Sequence, residues 1–279
     1  MNKVRFAANK DTNFVFHMLS VARCGYDNAY GERYRREYPE EDLAVFKENE
    51  PLLTVCGGEH CGALHGLMVS VPACAETSAK EYYAELIRRF DSGEVPENFR
   101  EYVDIVRRIS TVMIKHYDYY IDKIWPKEKK KIEAYIPRIL SYFEETGFTE
   151  KAEEMVGCKL PRDYFIATLV TSVENGAEAI DISEEQDMFG IERDPLDAFY
   201  FIGHEFIIYL LFYALRDEDA FGNFNTWGRT EGLAEYYLKR IMGDVRFYNS
   251  YQNYVEFYEK CEEHEKLSAV ELYRRGAQV

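Results

Sequence analysis

The chain has 279 residues, and 47% of them are hydrophobic, which is enough to fill one large core or two small ones. Its 50 acidic residues outnumber the 34 basic ones, so the net charge of −16 would repel a phosphate backbone and no nucleic-acid partner is expected. The opening residues lack the apolar stretch of a secretion signal, and the longest apolar run, Phe206–Leu215, has only ten residues, too few to cross a bilayer. These features predict a cytoplasmic protein without a membrane partner, with its six cysteines reduced.

The first half of the chain has the pattern of amphipathic helices. Apolar and aromatic residues recur at helical spacing in residues 79–90 and again in residues 96–125. We therefore predict a mostly helical region over residues 1–125, followed by a second domain over residues 126–279.

A change of period within the second domain predicts a small sheet. Residues 164–171 are rich in β-branched and aromatic side chains, which favour a strand. Asn175-Gly176 predicts a tight turn, after which residues 177–182 pair back and residues 187–191 form a further strand. The expected fold class is therefore α+β, mostly α, with a small antiparallel sheet over residues 164–191.

Helical patterns flank the predicted sheet on both sides. Asp194 and Pro195 have the types preferred at the N-cap and at the first helical position. Helices are predicted over residues 127–143, 149–156, 195–215, 231–242 and 247–267.

The predicted helix over residues 195–215 contains His204 followed by Glu205, in the stretch GHEFIIY. In the zinc motif H-E-x-x-H, a second His four residues after the first lies on the same helix face, so that both imidazoles bind one ion. Position 208 of this chain is Ile, which has no donor atom for a metal. Tyr209 does not replace it, because it lies about 140° around the helix from His204.

A second segment, Trp227–Tyr237, reads WGRTEGLAEYY. Together with the H-E helix, it resembles the metal-site helices of the gluzincins, the thermolysin- and aminopeptidase-like zinc metallopeptidases. The resemblance implies that His204 and Glu231 bind Zn²⁺ and that Glu205 is the catalytic general base. It also implies that Glu235 hydrogen-bonds the ligand His204 and so fixes its tautomer.

The resemblance has further implications and one departure. Because Ile208 replaces a ligand, Zn²⁺ is expected to be weakly bound or absent, and peptide hydrolysis weak or lost. His116 is the first candidate for a replacement ligand, and His17 is a weaker one.

Gluzincins line their cleft with an edge strand, for which residues 187–191 are the candidate, the alternative being a plain hairpin strand. Oxyanion stabilisation would fall to one of three tyrosines, which otherwise pack in the core: Tyr251, Tyr254 and Tyr258.

Each of these residues also has an ordinary structural interpretation. His204 would be a core histidine, and Glu205 a solvated or salt-bridged helix residue. Glu231 would be a carboxylate in the first turn of a helix, favoured by the helix dipole and capped by Thr226 or Thr230.

A separate cluster of soft ligands comprises Cys56, His60, Cys61 and His65. Its spacing matches none of the usual structural zinc patterns. The alternatives to a zinc site in this segment are a tight turn at Gly57-Gly58 with the cysteines as small core residues, or a Cys–His nucleophile pair.

Three functions therefore compete. The first is a zinc-dependent metallopeptidase-like protein that acts on peptides or proteins with weak or lost activity. The second is a non-catalytic pseudo-peptidase that binds a peptide or protein partner. The third is a helical structural protein in which the motif occurs by chance.

Overall fold

The computed structural model describes residues 2–54, 62–221, 224–243, 251–262 and 266–279, with the backbone alone at residues 224 and 225. The fold is α+β and mostly α, with one small four-stranded sheet, so the predicted fold class is confirmed. The strands are β1 (Val4–Ala7), β2 (Phe165–Val170), β3 (Ala177–Asp181) and β4 (Gln186–Gly190). The α-helices are α1 (Lys10–Val21), α2 (Ala29–Tyr34), α3 (Glu40–Glu48), α4 (Glu50–Leu53), α5 (Val71–Cys74), α6 (Ala79–Asp91), α7 (Val103–Tyr119), α8 (Trp125–Thr146), α9 (Phe148–Val156), α10 (Pro195–Ala214), α11 (Phe224–Met242), α12 (Gln252–Cys261) and α13 (Ala269–Arg275).

The chain forms two compact units, and each combines stretches that are distant in sequence. The N-terminal unit comprises residues 6–136 and 167–193, and the C-terminal unit comprises residues 2–5, 137–166 and 194–279. The units therefore do not follow a single cut at residue 125. One division falls inside α8 at Pro137, a residue that cannot donate a backbone hydrogen bond.

The core of the N-terminal unit is built around α1. Asn9 caps this helix by accepting hydrogen bonds from the backbone N–H groups of Asp11 and Thr12. Every residue of the helix from Asp11 to Val21 is buried, because apolar side chains surround it on all faces. Ser78 begins α6 with a capping box, as the helical pattern over residues 79–90 predicts.

The connection from α7 to α8 differs from the prediction. A π-helical turn, Tyr120–Ile124, joins the two helices directly, with no break before α8. Tyr120 and Ile124 are both buried, so the apolar pattern continues through the turn.

The sheet is mixed, with the strand order β1-β2-β4-β3. Two predictions about it are wrong. Residues 177–181 pair antiparallel with β4 and not with β2, and β4 lies inside the sheet, so residues 187–191 are not an edge strand. Burial gives the reason, since four of the five residues of β4 are buried, but only one of β3. The first strand, β1, lies in a region predicted to be helical.

In the C-terminal unit, α10 begins as predicted. Asp194 accepts a hydrogen bond from the backbone N–H of Leu196 at 2.9 Å, and Pro195 occupies the first turn. An aromatic cluster holds this helix, since the ring centroids of Phe143 and Phe199 lie 4.6 Å apart and those of Phe148 and Phe199 lie 5.6 Å apart.

Helix α10 is also long and apolar enough to cross a membrane by length and composition. However, 56% of its apolar window is buried inside the protein. The helix also carries the polar residues His204 and Glu205. Burial of most of an apolar helix is typical of a core helix.

Candidate functional site

Helices α10 and α11 pack against each other in the C-terminal unit and bring the first two predicted ligands together. His204 Nε2 lies 3.0 Å from Glu231 Oε2. An ionised carboxylate only accepts hydrogen bonds, so Nε2 carries the proton of this contact. The His204 side chain is 2% exposed and that of Glu231 15% exposed, so the pair is largely removed from water.

Two glycines let neighbouring helices pack directly beside these two residues. A Cβ atom at Gly203, the residue before His204, would lie 2.8 Å from the ring of Phe148. A Cβ atom at Gly232, the residue after Glu231, would lie 2.4 Å from the Cβ atom of Tyr254. Each glycine therefore lets an aromatic residue approach the backbone directly beside a predicted ligand.

Glu235 lies one helical turn after Glu231 and is 5% exposed. Neither of its carboxylate oxygens has a hydrogen-bond partner among the described residues. The hydrogen bond predicted from Glu235 to His204 is therefore not formed. Burial, together with the charge of Glu231, raises the pKa of Glu235 to about 7.

Ile208 and Glu205 are both half-buried on α10. The next residue, Tyr209, is buried with its ring centroid 5.3 Å from that of Phe165 at the start of β2. Tyr209 is therefore a packing residue, as its angular position relative to His204 indicates.

The interpretation of Glu231 as a residue of the first helical turn is wrong. Helix α11 begins at Phe224, seven residues earlier, so Glu231 lies inside the helix. Thr226 and Thr230 also lie inside it, and Thr230 Oγ1 donates to the carbonyl oxygen of Ala220 at 3.2 Å.

Of the three candidate tyrosines, Tyr251 is the one whose pKa responds to both carboxylates. Burial and the charges of Glu231 and Glu235 raise its pKa. Tyr258 is fully buried and donates to the carbonyl oxygen of Arg229 at 3.1 Å, so it is a core residue. Local sequence gave no signal that separates these tyrosines, because the distinction depends on how α12 packs on α11.

The two proposed replacement ligands lie in the N-terminal unit and have partners there. His116 Nε2 lies 2.6 Å from Asp42 Oδ2. His17 is fully buried, with Nδ1 2.6 Å from the hydroxyl of Tyr30 and Nε2 2.7 Å from that of Tyr38.

The cluster of soft ligands falls mostly outside the described residues, because these exclude residues 55–61 and therefore Cys56, His60 and Cys61. His65 is described, and both of its ring nitrogens have partners. Nδ1 lies 3.1 Å from Ser70 Oγ, and Nε2 forms an ion pair with Glu178. These residues line a cavity of about 1190 Å³ within the N-terminal unit, a feature without a signal in the local sequence.

Whether the site fits a metal ion can be tested on its donor atoms. Across the described ranges, no three His, Cys, Asp or Glu side chains are arranged to hold an ion. The C-terminal unit does contain one imidazole in contact with a carboxylate, and next to them a buried carboxylate that lacks hydrogen bonds. Nitrogen and carboxylate oxygen are the donors that zinc accepts, and a buried charge needs a cation or hydrogen bonds, so the donor chemistry fits.

Comparison with known proteins gives no relative: no protein-family model, no curated protein and no solved structure matches this chain.

Proposed function

We propose that the protein is metallopeptidase-like, with a degenerate divalent-metal site in its C-terminal unit and weak or lost peptidase activity. The observation that carries this proposal is the 3.0 Å contact between His204 on α10 and Glu231 on α11. These two residues are 27 positions apart, and they are the two that the gluzincin resemblance assigns to the ion. A peptide or protein would be the substrate or ligand, and the cytoplasm the expected location.

His204 and Glu231 would hold the ion. When bound, Zn²⁺ would lower the pKa of a water molecule and polarise a carbonyl group. Glu205 follows His204 directly on α10 and is half-buried, and its carboxylate would act as the general base. Tyr251 lies beside the carboxylates of Glu231 and Glu235, where its hydroxyl group would donate to a developing oxyanion.

The missing third ligand explains why activity should be weak. Catalytic zinc sites use three protein ligands and an open position. Position 208 supplies no donor, so the ion would be loosely held and Glu205 poorly placed relative to it. A general base contributes about 10²–10⁴-fold, and it does so only when it is correctly positioned.

The alternative is a pseudo-peptidase that binds a peptide or protein without a metal. The same contact supports this alternative, because the hydrogen bond between His204 and Glu231 gives each side chain a partner without an ion. Hydrophobic Ile208 at the ligand position also disfavours a charged centre.

The metal content of full-length protein purified without chelator separates the two. We expect bound zinc in the wild type and its loss in Glu231→Gln, which keeps the side-chain shape but weakens the donor. Glu256→Gln is the matched control, since Glu256 is exposed on α12. A wild type that binds no zinc, even after zinc is added, would contradict the metal site and favour the pseudo-peptidase.

Restoring the motif gives the second test. Ile208→His should tighten zinc binding, because it returns an imidazole to the face that carries His204. Wild-type peptide hydrolysis should be weak, and Glu205→Gln in the Ile208→His background should abolish any gain. Efficient chelator-sensitive cleavage by the wild type would contradict the assignment of a degenerate site.

A further inference from the structure

We propose that Glu235 is the third protein ligand of a divalent-cation site formed with His204 and Glu231, in place of the imidazole that position 208 lacks. This inference rests on the metal site proposed above and goes beyond it. In the family pattern, the residue at this position supports a ligand histidine through a hydrogen bond, whereas here it would contact the ion itself.

The first argument is the burial of Glu235 without partners. Its side chain is inside the protein, and neither carboxylate oxygen is hydrogen-bonded within the described ranges. A buried carboxylate in this situation costs several kcal/mol, and buried charges in proteins are paired or coordinate metals. Glu235 cannot be the hydrogen-bonded support of His204 in this arrangement, because no such bond is formed.

The second argument is helical spacing. Glu231 and Glu235 are four residues apart on α11, so they lie on the same helix face, with Cβ atoms about 5–6 Å apart. Two carboxylates at this spacing can reach one ion. The contact from His204 to Glu231 places the imidazole on this face as well.

The third argument concerns the space between the two carboxylates. Tyr251 borders this part of α11, since a Cβ atom at Gly228, about one turn before Glu231, would lie 3.5 Å from its ring. In the observed conformation, the side chains are not arranged to hold an ion. Binding therefore requires the Glu235 side chain to rotate towards Glu231, which breaks no hydrogen bond of the Glu235 carboxylate among the described residues. It also requires Nε2 of His204 to release its proton, so that the ion replaces the hydrogen bond to Glu231.

The donor set defines the cation. One imidazole and two carboxylates would balance the charge of a divalent ion without any further group. An imidazole favours zinc over calcium and magnesium, while the second carboxylate favours harder ions such as Mn²⁺. The site should therefore bind Zn²⁺, and it should discriminate less between Zn²⁺ and Mn²⁺ than a site with two imidazoles.

The test measures metal binding and does not depend on activity. Zn²⁺ and Mn²⁺ are titrated into metal-free, full-length protein, for the wild type and for Glu235→Gln, with Glu256→Gln as the matched control. Residues that hydrogen-bond a metal ligand contribute about 10–100-fold to metal affinity, so loss of a direct ligand should weaken Zn²⁺ binding more than about 100-fold. The control should bind like the wild type.

Two further measurements separate a ligand from a positioning residue. The visible absorption of bound Co²⁺ should change in position and intensity in Glu235→Gln, because a neutral amide oxygen replaces the carboxylate donor. The double variant Ile208→His/Glu235→Gln should recover Zn²⁺ binding and show a larger preference for Zn²⁺ over Mn²⁺ than the wild type. Circular dichroism of the metal-free variants establishes that they are folded.

The outcomes distinguish this inference from the proposed function. If the wild type binds Zn²⁺ and Glu235→Gln binds it less than about 100-fold more weakly, Glu235 is not a ligand, while the metal site stands. An unchanged Co²⁺ spectrum in Glu235→Gln would also overturn the inference. If the wild type binds no divalent cation, the proposed function itself fails, and this inference fails with it.

Discussion

Two buried glutamates, one in each unit, have opposite hydrogen-bonding environments. Glu128 in the N-terminal unit is 2% exposed, and its two oxygens accept hydrogen bonds from the hydroxyl groups of Tyr30 and Tyr120 at 2.5 and 2.8 Å. Glu235 in the C-terminal unit is 5% exposed, and its oxygens have no partner among the described residues. Burial raises the pKa of both carboxyl groups, but only at Glu128 do hydrogen bonds oppose the rise.

The difference indicates what each residue does. The network of Glu128 extends through Tyr30 to His17 and on to Tyr38, so every buried polar group in this chain of contacts has a partner. Fully satisfied buried networks stabilise a fold and make it specific. A buried carboxylate without partners destabilises the fold and persists where function requires it. The network therefore gives Glu128 a structural role, whereas the missing partners of Glu235 support the binding role proposed for it above.

The largest expected effect is on stability at Glu128. Glu128→Ala should lower the free energy of unfolding by about 3–5 kcal/mol, because two buried hydroxyl groups lose their acceptor and a cavity remains. Urea unfolding followed by circular dichroism measures this change. In the same helix, Glu133→Ala is the control, since Glu133 is 55% exposed in its pair with Lys129 and should cost less than about 0.5 kcal/mol. Equal effects in both variants would refute the structural role of Glu128.

The next effect tests the packing beside the ligands of the C-terminal unit. Gly232→Ala would place a methyl group 2.4 Å from the Cβ atom of Tyr254, an atom that cannot move without the backbone of α12. We expect a loss of about 1–3 kcal/mol in the free energy of unfolding.

Gly228→Ala is the matched control for this packing. It lies one turn earlier on α11, and its nearest neighbours, the rings of Tyr251 and Tyr254, would be 3.5 Å away. Because alanine favours a helix over glycine by about 1 kcal/mol, Gly228→Ala should be neutral or stabilising. If both variants were equally stable, α12 would not pack on α11 as described.

A pH titration tests the hydrogen-bonded network of Glu128 through one of its members, His17. Burial, aided by the charge of His116, lowers the pKa of His17 from 6.5 to about 3. Protonation of His17 therefore favours the unfolded chain, and its contribution to stability is present above pH 6.5 and is lost as the pH falls towards 3. At pH 5, the loss should be about 2 kcal/mol.

The variant His17→Gln isolates this contribution, because it removes the titrating group. Between pH 7.5 and pH 5, the difference in unfolding free energy between the wild type and the variant should shrink by about 2 kcal/mol. Parallel stability curves over this range would show that His17 is not held in its neutral form.

The predicted elements depend on local signals, and these were largely sufficient for the helices. Asp194 and Pro195 mark the start of α10, apolar spacing locates α6, and Gly157 marks the end of α9. The sheet order was not predictable in this way. The pairing of β1 with β2 joins residues about 160 positions apart, and the interior position of β4 depends on packing from both faces.

The candidate site shows the same contrast between features that local sequence predicts and features that tertiary packing decides. The types and spacing of His204, Glu231 and Glu235 are visible in the sequence, and the structure brings the first two into contact. The lack of hydrogen bonds to Glu235 was not predictable, because it depends on which groups the surrounding helices present to it. The same holds for Tyr251, which is distinguished from its neighbours only by how α12 packs.

The smallest expected effect has the opposite sign to that of Glu128→Ala. In metal-free protein, Glu235→Gln should raise the free energy of unfolding, because it replaces a buried carboxylate without partners by a neutral side chain of the same shape. The pKa of Glu235 is raised from 4.5 to about 7, so the stability contributed by its protonated form is present below pH 4.5 and is lost as the pH rises to 7. The full difference corresponds to about 3 kcal/mol, and relaxation around the site should reduce the measured gain to about 1–2 kcal/mol at pH 8.

The gain should shrink markedly at pH 5, and exposed Glu256→Gln should show no such dependence. If Glu235→Gln instead destabilised the metal-free protein at pH 8 as Glu128→Ala does, Glu235 would have partners in solution, and the two glutamates would serve the same structural role.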